Sequence, residues 1–403
     1  MKKTLAWALT AVTAATCALG ATVPAAAAEG APVTASVSTT KPDTSGLSPE
    51  TRAIADAYLA LLPADWQDRL QAAAAKYGIH DSQLTGIRNG VINPGDYQCR
   101  PSGLTTYVRS QVAKAKDPYI FFMLAGMLDL PTYDAILFGS ESRSNSFGVN
   151  GEYTHQLTSE MKDLKKFWDI PSGDIQLIPM HGADLFSSPE RLARLFVALY
   201  GTPADTSRTL ADLVIRLIGS EPSLEHGASP LFTLNALAFS DSQEADPLGV
   251  SDRIIVGDGV LQGMASLGLG DTAPRAILAH EFGHQVQFAD GLLKNTTLTG
   301  PESSRRAELM ADAFGTYYLT HSRGEALNAK RVLDSEKSFY DVGDCDYTGD
   351  THHGTPNQRF AASSWGASVA DTAANQGHIL PSMKLDGLFE AKLPDIVKPD
   401  AAG

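Results

Sequence analysis

The sequence predicts an α+β fold: a mainly helical N-terminal half, followed by a half in which a small sheet accompanies two chemistry-bearing helices. Three observations predict it. Apolar residues recur at helical spacing early in the chain, as in Ile54, Ala57, Tyr58, Leu61 and Leu62. After Gly227 the texture changes to short strand-like runs, the clearest being Ile254-Ile255-Val256. Two later helical stretches, 273–288 and 303–322, then bring together His, Glu and Asp.

The elements follow in order. Lys2 and Lys3, an apolar run over 5–19 and small residues over 25–28 have the order of a secretory signal peptide, with cleavage expected near Ala28. The apolar run is short and broken by threonines, which disfavours a membrane anchor. Cys17 lacks the leucine and the small residue that precede a lipoprotein cysteine. The chain is therefore expected to be secreted and extracellular. Residues 29–46, rich in Ala, Thr, Ser, Val and Pro, read as a flexible leader.

Residues 47–226 form the mainly helical region. Ser48-Pro49-Glu50 reads as a capped helix start, and a second helix is expected over 63–77. Asn93-Pro94-Gly95 marks a turn. An apolar helix over 117–139 is expected to break at Pro131, and helices over 158–168, 189–200 and 207–218 flank a short strand over 175–179. Residues 227–383 form the second region, with strands over 231–239 and 253–257, the two helices named above and a loop rich in Asp, Gly and His over 341–359. Residues 384–403 read as a surface tail.

The formal charge of −14 argues against nucleic acid or an anionic membrane as the main partner. No later apolar run is long enough to span a bilayer, so no stable membrane insertion is expected. Oligomeric state is not legible. Beyond the signal lie two cysteines, Cys99 and Cys345. In an oxidising compartment one disulfide between them is the expectation. The other reading is a Cys99 thiolate capping a metal in a latent form.

The central motif is His280-Glu281-Phe282-Gly283-His284, an H-E-x-x-H on a helix. Residues four apart share a helix face, so two imidazoles can converge on one ion. Glu281 then sits at the edge of that face, able to reach a water on the ion without ligating it. Gly283 weakens the helix but leaves room for another backbone or a substrate. Zinc hydrolases use three protein ligands and an open fourth position. Glu308, on the next helix, completes a His-His-Glu set. Asp312, one turn further, can accept a hydrogen bond from a ligand imidazole. The plainer alternative is an acidic pair neutralised by Arg305 and Arg306. No G-x-S-x-G nucleophile motif is present.

These motifs resemble a bacterial family of neutral zinc metallopeptidases and, more broadly, the gluzincin clan. The resemblance rests on Ala279, His280, Glu281, Gly283, His284, Val286 and Gln287, then on Glu308, Leu309, Ala311 and Asp312, and on His353-Gly354-Thr355 with Gln358 and Arg359. It covers about residues 250–366 and does not reach the helical half. The chain departs from the family at Gln285, often a second His there, and in lacking cysteines near the motifs. The resemblance implies a zincin-like catalytic region over 227–383, one catalytic Zn²⁺ on His280, His284 and Glu308, and a protein or peptide substrate.

With that set, Glu281 is expected to be the general base, with His353 the candidate donor to the oxyanion and His352 and Tyr347 its rivals. Arg359 is expected to brace the loop rather than bind a substrate carboxylate. The strand over 253–257 could, by analogy, pair with an extended substrate. Asp341, Asp344, Asp346 and Asp350 are close enough in sequence to suggest Ca²⁺, without the EF-hand pattern. Two other functions stay open: a non-catalytic zinc-binding extracellular protein, and a cell-surface binding module that keeps the zincin fold.

Overall fold

In the computed structural model, residues 44–77, 98–117, 120, 124, 127–243, 247–294, 296–345, 352–372 and 377–400 are described. The expected signal peptide, nearly all of the leader, the Asn93-Pro94-Gly95 turn and Tyr347 lie outside them. The first elements are α1 (Pro49–Leu61), α2 (Trp66–Lys76), α3 (Gly103–Val112), α4 (Leu130–Phe138) and α5 (Thr154–Phe167). Then come β1 (Gln176–Met180), α6 (Gly182–Phe186), α7 (Pro189–Tyr200), α8 (Ala204–Ser220), β2 (Ala236–Phe239) and β3 (Arg253–Gly257). The chain continues through α9 (Asp258–Ser266), α10 (Ala273–Asp290), α11 (Pro301–Thr320), α12 (Ala329–Val342), α13 (Pro356–Asp371) and α14 (Ser382–Ile396). The architecture is α+β and mainly helical, as expected.

Local chemistry sets many of these boundaries. Ser48 caps α1 by accepting the Thr51 N–H at 3.2 Å, with Pro49 in the first turn where its missing donor does no harm. Gly201 ends α7 in the left-handed conformation, at φ 61°. The expected interruption falls just ahead of Pro131: residues 120 and 124 are helical, the chain turns at 127–129, and Pro131 sits in the first turn of α4. The run over 231–239 is strand only from Ala236, because Pro230 begins a short 3-10 turn ahead of it.

The sheet order is β1-β3-β2, with β1 parallel and β2 antiparallel to β3. Side chains alternate across a strand. Ile255 therefore joins one apolar core, with Ile178, Met180, Leu237 and Phe239 and the helices α1, α2, α4, α7 and α8. Ile254 and Val256 join the other, with Leu177 and the helices α5, α10, α11 and α14. The sheet is thus the middle of three layers, which is why every residue of β3 is buried.

The two regions are packed together: β1 and α5, from the helical half, share a sheet and a core with the second half. One expectation fails here: the stretch from Lys384 is no surface tail. It belongs to α14, whose Leu385, Phe389, Leu393 and Ile396 form a helical stripe buried in the second core.

Cys99 and Cys345 form a disulfide across 246 positions of sequence. A sulfur so bonded is no thiolate, so the latent metal-cap reading of Cys99 is set aside. The bond ties the lead-in of α3 to the segment after α12. Replacing both cysteines by serine is expected to lower stability by about 2–5 kcal/mol. Denaturant unfolding of the double variant would check this, and an unchanged midpoint would refute it.

Candidate metal centre

The helix α10 carries His280, Glu281 and His284, all on or near one face and all nearly buried. One ligand atom from each lies within 4.8 Å of the others, a group that could hold a metal ion. The two Nε2 atoms are 3.1 Å apart. Across from them stands Glu308 of α11, with Oε1 3.2 Å from His284 Nε2 and Oε2 3.3 Å from His280 Nε2.

The two helices meet this closely because neither has a side chain at the crossing. A Cβ on Gly283 would lie 3.1 Å from both Cα and O of Ala311. A Cβ on Gly315 would lie 3.0 Å from the backbone N of His280. The space left by Gly283 is filled by another backbone, not by substrate.

Each imidazole is held by its far nitrogen. His280 Nδ1 lies 2.9 Å from Asp312 Oδ1. His284 Nδ1 donates to Gln287 Oε1 at 2.9 Å, and Gln287 Nε2 donates to Ala307 O at 2.7 Å. Those bonds present both Nε2 atoms to the same point. Gln287 carries no expectation from spacing, although its place three residues after a ligand on one helix face is a usable signal. Gln285 has a different task. Its Nε2 donates to Phe239 O at 3.2 Å and to Arg253 O at 3.0 Å, tying the helix to β2 and β3.

Arg359 braces the cluster. Its Nε and Nη2 donate to the two oxygens of Asp312 at 2.7 and 2.6 Å, and its Nη1 lies 3.4 Å from Glu308 Oε2. The position of Arg359 follows from a capping box at the start of α13. Thr355 Oγ1 accepts the Gln358 N–H, and Gln358 Oε1 accepts the Thr355 N–H. Arg306 pairs instead with Glu390 of α14, so it does not neutralise the acidic pair.

Asp344 is the residue the sequence reading placed elsewhere. Its carboxylate accepts from His353 N and His353 Nδ1, each at 2.8 Å, and from His352 Nδ1 at 2.6 Å. Burial raises its pKa, but the two histidines outweigh that and hold the carboxyl well below its usual range. Asp341 Oδ1 accepts the Gly103 N–H at 2.8 Å. These two carboxylates are engaged by protein donors, and Asp346 and Asp350 lie outside the described residues.

A cavity of about 350 Å³ joins His280, Glu281, His284, Glu308, His353 and Arg359 to residues 234–240 on and beside β2. His352 is fully buried and does not line it. The strand over 253–257 cannot pair with a substrate, since β3 has neighbours on both edges. The edge strand at the cavity is β2.

Compared with protein-family models, curated proteins and solved structures, the chain finds no match in any of the three.

Without an ion, protons stand in for it. Burial disfavours charge on His280, yet the Asp312 and Glu308 carboxylates raise its pKa from 6.5 to about 9. Burial likewise opposes charge on His284, and Glu308 raises its pKa. Burial pushes Glu308 up, but the imidazoles hold it well below 4.5. The raised histidine contributes stability that is complete below 6.5 and is lost as pH rises through about 9. The depressed carboxyl contributes stability present above 4.5 and lost as pH falls through its folded value.

Metal-free protein should therefore lose thermal stability relative to metal-loaded protein as pH rises from 6.5 to about 9. Parallel melting curves of the two forms over that range would contradict this. Asp312→Ala or Gln287→Ala should each weaken metal affinity by roughly 10–100-fold in chelator competition. Equal affinity in wild type and both variants would remove these residues from the metal site.

Proposed function

We propose that the chain is a secreted zinc-dependent peptidase with a zincin-like catalytic region. The observation that carries the reading is the meeting of two imidazole nitrogens and one carboxylate at a cavity wall, with a second carboxylate, Glu281, beside them. Tetrahedral ligands about 2.0–2.1 Å from zinc lie about 3.3–3.4 Å from one another. The two Nε2 atoms, 3.1 Å apart, are near that spacing, and each Glu308 oxygen lies at a similar distance from one of them, Oε1 3.2 Å from His284 and Oε2 3.3 Å from His280. A set of two neutral nitrogens and one carboxylate also suits zinc, whereas Ca²⁺ and Mg²⁺ take oxygen.

Zinc, when bound, supplies a water acidic enough to lose its proton near neutral pH and a positive charge facing the scissile carbonyl. Glu281 takes up that proton and delivers it to the leaving amine. His353, gripped at Nδ1 by Asp344, would donate from Nε2 to the carbonyl oxygen with its ring carrying both protons, as negative charge gathers there. The edge strand β2 offers its backbone to an extended peptide, which favours a peptide over a compact substrate.

The test is digestion of casein and of a peptide library by purified protein, with and without chelator, beside Glu281→Gln. Wild type should cleave and chelation should stop it. The variant should bind zinc in the same ratio while losing roughly 10²–10⁴-fold in rate. Cleavage that survives both chelation and the variant would end this account.

A further inference from the structure

Beside the metal centre lies a third apolar cluster, separate from the two cores that flank the sheet. It is built on Leu104, Val260, Met264 and Ile277, with Ala236 and Val342 packed against it. Leu104, Val260, Ile277 and Val342 also line the cavity, as does Phe339. The wall is continuous with the metal centre. Ile277 stands one helical turn before His280, and the Phe339 ring centre is 5.9 Å from that of His280.

We propose that this wall forms the pocket for one large aliphatic or aromatic side chain of a peptide substrate, and that Leu104 sets its size. The inference rests on the peptidase reading above. None of the five wall residues carries a charge, so an Asp, Glu or Lys of the substrate would be desolvated there without a partner. A peptide laid along β2 passes this wall, because Ala236 of that strand belongs to the same cluster.

Leu104 comes from the helical half, and the fold holds it in place by three means. First, α9 has no side chain where Leu104 meets it: a Cβ on Gly263 would lie 2.7 Å from Leu104 Cδ1. Secondly, Ser102 Oγ donates to Asp341 O at 2.6 Å and Gly103 N donates to Asp341 Oδ1 at 2.8 Å, joining the start of α3 to the end of α12. Thirdly, the Cys99–Cys345 disulfide lies just ahead of that junction. Leu104 is therefore fixed relative to Phe339 and Val342, and acts as a rigid wall of the pocket.

The experiment is cleavage-site mapping by mass spectrometry, with zinc-loaded full-length protein on a peptide library that samples all side chains. Wild type should prefer large apolar residues at one position beside the cut, over charged ones by roughly 10–200-fold in kcat/KM. Leu104→Ala should move that preference toward aromatic residues, and Leu104→Phe toward smaller ones. Val342→Ala, at another point of the same wall, should also admit larger residues, and serves if the Leu104 variants do not fold. Cleavage with no apolar preference overturns the pocket and leaves the peptidase standing. An unchanged profile in the folded variants overturns the role of this wall. Absence of any cleavage by zinc-loaded wild type overturns the peptidase reading itself, and the pocket with it.

Discussion

The site depends on one steric constraint: two helices must cross with backbone against backbone. At Gly283 the next heavy atoms belong to Ala311, and at Gly315 they belong to Ala279 and His280. Any larger residue at either place pushes α11 outward. Such a displacement would lengthen the contacts of 3.2 and 3.3 Å between the Glu308 carboxylate and the two Nε2 atoms. Glycine costs a helix interior about 1 kcal/mol relative to alanine. The surrounding core of Phe282, Val286, Leu309, Phe314 and Tyr317, all fully buried, more than offsets that loss.

Around this crossing the polar groups are organised in pairs that leave little buried charge unbalanced. Arg359 answers Asp312 with two hydrogen bonds, and Asp312 in turn orients His280. Glu308 faces both imidazoles and the edge of the same guanidinium. Removing one member would strand another in a low-dielectric interior, a larger penalty than the loss of any single bond. The same logic governs Asp344, which restrains two consecutive histidines and so fixes the loop that leads into α13.

Much of this was legible in the chain. The four-residue spacing of His280 and His284 specifies convergence as soon as the segment is a helix, and local pattern suffices for that. The start of α1 and the extent of α7 follow from caps and turns that act over a few residues. Glu308 and Asp312 could be picked out as a pair on one helix face, but the crossing that delivers them is a contact between distant backbones. The role of Asp344 was not legible, because its partners are set by side-chain geometry, whereas Gln287 left only the signal of its spacing from His284. The helix at the C-terminus escaped notice because Gly387 and Pro394 interrupt a sparse apolar stripe. The packing between the two regions was not legible, because β1 finds its partner far along the sequence, in β3.

The long covalent loop between Cys99 and Cys345 has a further meaning wherever the protein meets a protease. A nick in any surface turn inside that loop yields two pieces that still share one molecule. On a gel, such a cut would become visible only after a reductant is added.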